Sequence, residues 1–243
     1  MAGEVVVPSV RIDIWSDVVC PWCYIGKRRL ESALADFEHA ADVEVVWHSY
    51  QLDPGAPSEP AESVAAHLGR KYGGGPAAGA QMIDRVEAVA AEEGLIYRLH
   101  QAQRANTVDA HRLLHLAREE SGPGVQNRLK ETLLAAYFTE ARNVADHDVL
   151  RQVAAESGLD RTRVDEVLAS DAYAADVQAD IDQAHAYGSS GVPFFVIDGR
   201  YGVSGAQPAE AFGEVLRRAW AEREPSLQMV GGNEVCGPDG CTD

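Results

Sequence analysis

The stretch Trp15-Ser-Asp-Val-Val-Cys-Pro-Trp-Cys-Tyr-Ile-Gly26 joins a predicted strand to a predicted helix. Residues 11–15 alternate and are rich in β-branched and aromatic side chains, a pattern typical of a strand. Pro21 fits the first turn of a helix, where its missing N–H is tolerated, and helical periodicity continues to about residue 37. Residues 43–49 predict a second strand, so the chain opens with the start of a βαβ unit.

The rest of the chain predicts one sheet interrupted by helices. Patterns from residue 53 to 185 are mostly helical, and strand character returns at Phe194–Ile197. Asp198-Gly199 is a two-residue hairpin signal before a return strand at residues 201–203, and Pro208 opens a last helix. Strands split between the two ends could not each form a stable sheet alone, so two consecutive domains are disfavoured.

Cys20 and Cys23 form a C-x-x-C pair where the strand meets the helix. A helix N-terminus offers unpaired N–H groups and a positive dipole end, and such surroundings lower a cysteine pKa from ~8.5 into the ~3.5–7.5 range. We therefore predict that Cys20 has a lowered pKa and attacks a disulfide, and that Cys23, one helical turn on, resolves the mixed disulfide. A structural zinc site and a pair of inert core thiols are the alternatives. Zinc needs four ligands, and no second C-x-x-C or His pair is well placed nearby.

Five segments, in order along the chain, carry a family pattern. They are Trp15–Gly26, Asn106-Thr107 with His111, Ala135-Ala-Tyr-Phe138, Gly191-Val-Pro-Phe-Phe-Val196 and Gly202-Val-Ser-Gly-Ala-Gln-Pro208. Together they resemble the FrnE-like branch of the DsbA family. The resemblance implies an α/β thioredoxin fold with a large helical insertion, and thiol–disulfide oxidoreductase or isomerase activity. It also implies a cis Val192–Pro193 bond that faces the Cys-Pro-Trp-Cys loop.

The resemblance also assigns domains and roles. Residues 1–52 and 186–224 are expected to form a discontinuous thioredoxin-like domain, residues 53–185 a helical insertion domain, and residues 225–243 a flexible tail. The expected catalytic residues are Cys20, Cys23 and Pro193, and the expected substrate-binding residues are Pro21, Trp22 and Val192. Secreted members of the family commonly carry His at the position of Trp22, so we do not expect a strong oxidant.

Two related enzyme classes with this fold give the rival prediction. Kappa-class glutathione transferases and 2-hydroxychromene-2-carboxylate isomerases typically have Ser where this chain has Cys20, and they use glutathione as a bound thiol. Both cysteines are present here, so dithiol chemistry is favoured over a glutathione-dependent transferase or isomerase acting on a small molecule. No tightly bound cofactor is expected, and glutathione is the candidate reductant.

Three polar residues near these motifs have open roles. Asp17 could tune the thiolate or accept a proton from Cys23, but a nearby carboxylate raises a thiol pKa, so a loop cap or turn former is favoured. His111 and His115 lie four apart on a predicted helix, a spacing that can bind zinc. Because no third ligand is evident nearby, a capped or surface helix is the favoured interpretation.

Cys236 and Cys241 form a second close pair around Gly237-Pro-Asp-Gly240, which suits a type I turn. Residues that flank such a turn face each other across a short hairpin, near the spacing that a disulfide needs. We predict an auxiliary redox pair that exchanges with Cys20 and Cys23. A purely local disulfide, or half of a zinc site shared with Cys20 and Cys23, are the alternatives.

Composition limits the partners. The 243 residues carry a formal net charge of -17, which repels nucleic acid and anionic membranes. No apolar run approaches the ~20 residues of a membrane span, and the first eight residues lack the features of a signal peptide. We expect a cytosolic protein without nucleic-acid or membrane partners, whose substrate is a disulfide-containing protein or a small thiol.

Overall fold

A four-stranded sheet forms the centre of the fold. The computed structural model describes residues 10–59 and 62–223, and the backbone of 236–237 and 240–241. The strands are β1 (Val10–Ser16), β2 (Val43–Ser49), β3 (Phe194–Ile197) and β4 (Tyr201–Ser204), in the spatial order β2-β1-β3-β4. β1 runs parallel to β2 and antiparallel to β3, and β3 pairs antiparallel with β4. The ends of the chain therefore build one sheet, as the sequence predicts.

Helices occupy most of the chain between the second and third strands. In the described ranges they are α1 (Pro21–Ala35), α2 (Val64–Tyr72), α3 (Gly75–Glu92), α4 (Val108–Ser121), α5 (Pro123–Phe138), α6 (His147–Glu156), α7 (Arg161–Leu168), α8 (Ala174–Ala186) and α9 (Ala209–Glu222). A 3₁₀ turn covers Ala40–Asp42. The predicted α/β class with a large helical insertion is confirmed. No helix in residues 10–59 and 62–223 has the length and apolar character needed to cross a membrane.

The two faces of the sheet are covered by different helices. Alternation along β1 points Ile12 and Ile14 towards α1 and α9, where Phe212 and Leu216 complete an apolar core. On the opposite face Trp15 packs with Ala184 of α8. Burial on both faces holds the end of β1 in place, which is where the Cys-Pro-Trp-Cys segment begins.

Side chains at the start of helix α5 bond it to strand β2, where the Trp47 indole N–H donates to the Asn127 side-chain oxygen at 2.9 Å. The Gln126 amide accepts from the backbone N–H of Trp47 (3.1 Å) and donates to its carbonyl oxygen (2.7 Å). These two hydrogen bonds satisfy backbone groups of an edge strand, and they fix the position of α5 relative to the sheet. The helical core beyond α5 also includes Val18 and Ile25, so it continues to the cysteine segment. The predicted domain boundaries stay a prediction.

The hairpin between β3 and β4 differs from its prediction in loop length. Ile197 pairs with Tyr201, so three residues rather than two form the connection. Asp198 and Gly199 both have positive φ, 55° and 64°, as a turn signal of this type requires. Arg200 joins the loop because its N–H bonds back to the carbonyl of Ile197.

Candidate functional site

The Cys-Pro-Trp-Cys segment lies where β1 leads into α1. Cys20 is the N-cap residue of α1 with extended backbone angles, and Pro21 occupies the first turn. The N–H of Cys23 donates to the carbonyl oxygen of Cys20 at 3.0 Å. Both residues are buried and carry free thiols. The hydroxyl of Tyr97, which the sequence analysis did not single out, donates to the Pro21 carbonyl at 2.8 Å and ties the helical region to this segment.

Val192 and Pro193 lie directly against the cysteine segment. The Val192–Pro193 peptide bond is cis, and the Cys20 Sγ lies 3.5 Å from the Val192 carbonyl oxygen. Gly26 of α1 allows this approach, since a Cβ there would be 3.2 Å from the Pro193 Cγ. The structure thus brings the predicted residues of the two distant motifs together.

A cavity of about 390 Å³ opens beside Cys20. Its lining is mainly apolar and includes Val19, Leu52, Val86 and Val192, while Trp22 stands half-exposed among the lining residues. Polar members of the lining are Asp53, His67, Lys71 and Arg104. Cys20 lines this cavity and Cys23 does not, so a ligand in it meets the first sulfur.

A polar cluster is buried near the dithiol. Asp17 accepts the backbone N–H of Leu52 at 2.8 Å, and its other oxygen lies 3.3 Å from His111 Nε2. Lys130 of α5 is completely buried and donates to the carbonyl oxygen of Ser16 at 3.4 Å. His111 is fully buried, so the predicted surface position of this helix is wrong for His111.

Lys130 is not among the predicted site residues, although the sequence carries a signal for its burial. Gln126, Lys130, Leu134 and Phe138 are spaced four apart on α5, and all four are completely buried. A lysine inside such an apolar stripe is expected to be inside the protein. Its neighbours could not be predicted, because they come from β1 and the loop after it.

The two buried thiols titrate as one coupled pair. The hydrogen bond with Cys23, together with burial, raises the pKa of Cys20 well above its usual value. Burial opposes ionisation of Cys23, but the hydrogen bond from Cys20 and the Lys130 ammonium hold the pKa of Cys23 below its usual value. The ionisation of the reduced pair therefore belongs to both sulfurs, and the predicted low pKa of Cys20 stays a prediction. Pro21 removes one N–H from the helix start, and Cys23 gives its own to a carbonyl.

The structure describes the second cysteine pair by its backbone alone. Backbone segments β5 (Cys236–Gly237) and β6 (Gly240–Cys241) pair antiparallel, with Cys236 opposite Cys241 in the register. Their side chains and the intervening residues are outside the described part, so the auxiliary redox role stays a prediction. Within residues 10–59 and 62–223, no three His, Cys, Asp or Glu side chains are placed to hold a metal.

Comparison with known proteins shows the family. The protein-family model described as a DSBA-like thioredoxin domain matches residues 11–217. A crystal structure from Streptomyces coelicolor, described as a probable DsbA oxidoreductase, is 45% identical and superposes with a TM-score of 0.83, covering 96% of this chain and 99% of that chain. The uncharacterized protein YwbO of Bacillus subtilis is 28% identical over 212 residues, 86% of this chain and 96% of YwbO.

A more distant structure shares the fold. The cytosolic disulfide reductase DsbM of Pseudomonas aeruginosa, in a structure with glutathione, is 16% identical with a TM-score of 0.61, covering 87% of this chain and 99% of that chain. The thioredoxin fold implied by the sequence is confirmed, and its FrnE-like branch stays a prediction. Members of the matched family are oxidoreductases or isomerases that act on disulfide or thiol substrates. The chain belongs to the DSBA-like thioredoxin domain family.

Proposed function

We propose that this member of the DSBA-like family catalyses thiol–disulfide exchange with the Cys20–Cys23 dithiol as its redox group. The observation that carries the proposal is the position of the Cys20 sulfur, which lines a cavity beside the Val192 carbonyl while Cys23 stays covered. This difference in access supports attack by Cys20 and resolution by Cys23. Pro21, Trp22 and Val192 surround the entering disulfide, and Pro193 holds the loop that presents Val192.

The exchange proceeds in two displacements. The pair shares one negative charge through its S–H···S hydrogen bond, and passage of the proton from Cys20 to Cys23 produces the Cys20 thiolate. This thiolate attacks one sulfur of the substrate disulfide, and the other sulfur leaves as a thiolate. After losing its proton, Cys23 attacks the Cys20 sulfur and releases the second substrate thiolate. The substrate disulfide is reduced and the enzyme dithiol is oxidised. Isomerisation instead requires another thiolate of the substrate to displace Cys20 from the mixed disulfide before Cys23 attacks.

The proposal includes a compartment and a reductant. Cysteines that occur as two close pairs support redox chemistry in the cytosol, where isolated structural disulfides are rare. The substrate is a disulfide-containing protein or a small thiol, with glutathione as the candidate that returns the enzyme disulfide to the dithiol. No bound cofactor is required for either displacement.

Turnover of insulin or scrambled ribonuclease tests the proposal. Cys20→Ser is expected to lose activity completely, and Cys23→Ser is expected to accumulate a mixed disulfide with the substrate, because no second thiol releases it. The Cys236→Ser, Cys241→Ser double variant is the control, because it keeps Cys20 and Cys23 and removes the second cysteine pair. Full turnover by Cys20→Ser would refute the dithiol mechanism, and a rate loss in the double variant would assign the tail pair to the cycle.

The cavity supports a second candidate function. A mainly apolar space of about 390 Å³ beside a reactive sulfur suits a small ligand, as a glutathione-dependent transferase or isomerase would need. Under this alternative Cys23 is dispensable. Retained turnover of a small aromatic substrate by Cys23→Ser, with loss of insulin reduction, would favour it over dithiol exchange.

A further inference from the structure

Two lysines are buried in the molecule, and their surroundings differ. Lys27 of α1 is 3% exposed and pairs with the carboxylates of Glu31 and Glu131, the latter at 2.7 Å. Lys130 is 0% exposed and forms no ion pair with a carboxylate within the described ranges 10–59 and 62–223. A buried ammonium without a partner is costly, because it leaves water without a compensating charge. An ammonium at Lys130 is therefore stabilised by charges that act on it without an ion-pair contact.

The surroundings of Lys130 contain few candidates. Its Nζ donates to the Ser16 carbonyl at 3.4 Å and lies 5.4 Å from the centre of the Trp47 ring. Three charged or titratable groups besides the thiols act on Lys130 or feel its charge: Asp17 after β1, Lys27 on α1 and His111 on α4. His115, also on α4, acts in turn on His111. Asp17 already accepts from Leu52 and His111.

The anions that act on Lys130 are the dithiol and Asp17. Burial lowers the pKa of Lys130 to about 8, although Cys23, Asp17 and Cys20 raise it, with Cys23 the largest influence among the charged groups. Reciprocally, the lysine charge lowers the pKa of Cys23. The Ser16 hydroxyl, which has no other hydrogen-bond partner among the described groups, donates to the ionised Cys23 sulfur and so lowers the pKa of Cys23.

We propose that Lys130 is the counter-charge of the reduced dithiol: its ammonium group, held in the interior by α5, neutralises the one thiolate that Cys20 and Cys23 share. The proposal rests on the dithiol function proposed above and adds a positioning residue from the helical insertion. Lys130 makes no bond to the substrate and acts on the two sulfurs through its charge. When the pair ionises, its proton leaves to solvent while the lysine proton stays in place.

The counter-charge biases the redox equilibrium. Oxidation converts the dithiol to a disulfide, which removes the thiolate whose charge the Lys130 ammonium neutralises. Lys130 therefore stabilises the reduced form, which makes the enzyme a stronger oxidant, as stabilisation of a reduced dithiol does in general. Asp17 opposes this effect, because its carboxylate raises the pKa of Cys20.

Thiolate absorbance as a function of pH tests the proposal on Lys130→Met, with Lys27→Met as the matched control. Lys130→Met should raise the midpoint of the dithiol by at least about one pH unit, a tenfold loss of thiolate below the midpoint. Its reduction potential should fall by about 30 mV for that tenfold change in a two-electron couple. Lys27→Met should lose stability but keep the midpoint, since its partners are carboxylates. An unchanged midpoint in folded Lys130→Met would overturn the proposal.

A second measurement needs no substitution at Lys130. Lysine side-chain NMR titration of the wild-type protein should show a lower pKa for Lys130 in the oxidised form than in the reduced form, while Lys27 stays the same. Equal Lys130 titrations in the two forms would refute the counter-charge. Both measurements read the charge of the dithiol and require no turnover. A failure of the proposed catalysis would appear separately, as wild-type protein that does not exchange insulin disulfides.

Discussion

Two buried polar networks flank strand β1 and are built from the same residue types. The dithiol cluster comprises Ser16, Asp17, His111 and Lys130. The sheet–helix network comprises Asp13, His48, Ser49, His115 and Asp180. Each contains histidine, aspartate and serine, and each joins the sheet to the helical region.

The two networks differ in how completely their polar atoms are paired. In the sheet–helix network both His48 nitrogens lie 2.7 Å from carboxylates, and Asp180 also accepts the Ser49 N–H at 2.7 Å. In the dithiol cluster the Ser16 hydroxyl and His111 Nδ1 have no partner among the described groups. Since native interiors pair nearly all polar groups, unpaired atoms near reactive sulfurs indicate function rather than support. The sheet–helix network should accordingly act on stability, and the dithiol cluster on thiol chemistry.

Asp180→Ala should give the largest loss of stability. The change removes the acceptor of His48, His115 and the Ser49 N–H, and leaves buried donors without partners. Breaking a buried pair in this way costs about 3–5 kcal/mol, measured by urea unfolding. The thiolate midpoint of the folded fraction should stay at the wild-type value. A shifted midpoint would show that the two networks are coupled through β1.

Asp17→Asn should give a smaller stability loss and a clear redox effect. The neutral side chain still accepts from Leu52, but it weakens the contact with His111, a change worth about 1–3 kcal/mol at a buried site. Removal of the carboxylate should lower the pKa of Cys20 and speed its alkylation at neutral pH, because a like charge disfavours the thiolate. Asp13→Asn is the matched control: equal acceleration in both variants would mean that the effect is not local to the dithiol.

The two histidines should give opposite pH dependences of unfolding. Burial lowers the pKa of His48, but Asp13 and Asp180 outweigh it and raise the pKa above ~6.5. The contribution of His48 to the free energy of unfolding is thus complete below pH ~6.5, and it is lost as the pH rises through the folded-state pKa. Burial lowers the pKa of His111 despite Asp17, so stability falls as pH drops below ~6.5 and the unfolded chain takes up the proton.

Glutamine variants separate the contributions of the two histidines to the slope of the unfolding free energy against pH. His48→Gln should flatten the decline of the unfolding free energy on the alkaline side, and His111→Gln should flatten the decline on the acid side. The slope is the readout, since either variant can also lower stability at every pH. Two variants with the same slope change would contradict the assigned protonation states.

Local patterns in the sequence were sufficient for much of this architecture. Residues 43–49 predict β2 with the bounds observed, and the Cys-Pro-Trp-Cys and Gly-Val-Pro motifs predict which segments meet. The acidity of the thiols could not be read in this way. The proposed influence of Lys130 on this acidity comes from a residue 107 positions after Cys23, on a helix that Gln126 and Asn127 bond to Trp47 of β2. The residues of the Cys-Pro-Trp-Cys motif do not indicate a charge that is distant in the sequence, so its effect on the thiols could not be predicted from the motif.

The smallest effects come from two serines that lie opposite each other at the ends of β1 and β2. Ser16 and Ser49 are register partners, and both are buried. The Ser49 hydroxyl lies 3.1 Å from His115 Nε2, so Ser49→Ala should cost about 0.5–1.5 kcal/mol, the usual net value of a hydrogen bond.

Ser16→Ala breaks no such bond within the described residues and should cost less, because replacement of an unpaired buried hydroxyl removes a desolvated group. It should instead raise the pKa of Cys23 and slow release of the mixed disulfide, with thiolate absorbance and quenched-flow alkylation as the readouts. If Ser16→Ala lost more stability than Ser49→Ala and left the thiol titration unchanged, the dithiol cluster would be a structural network like its counterpart.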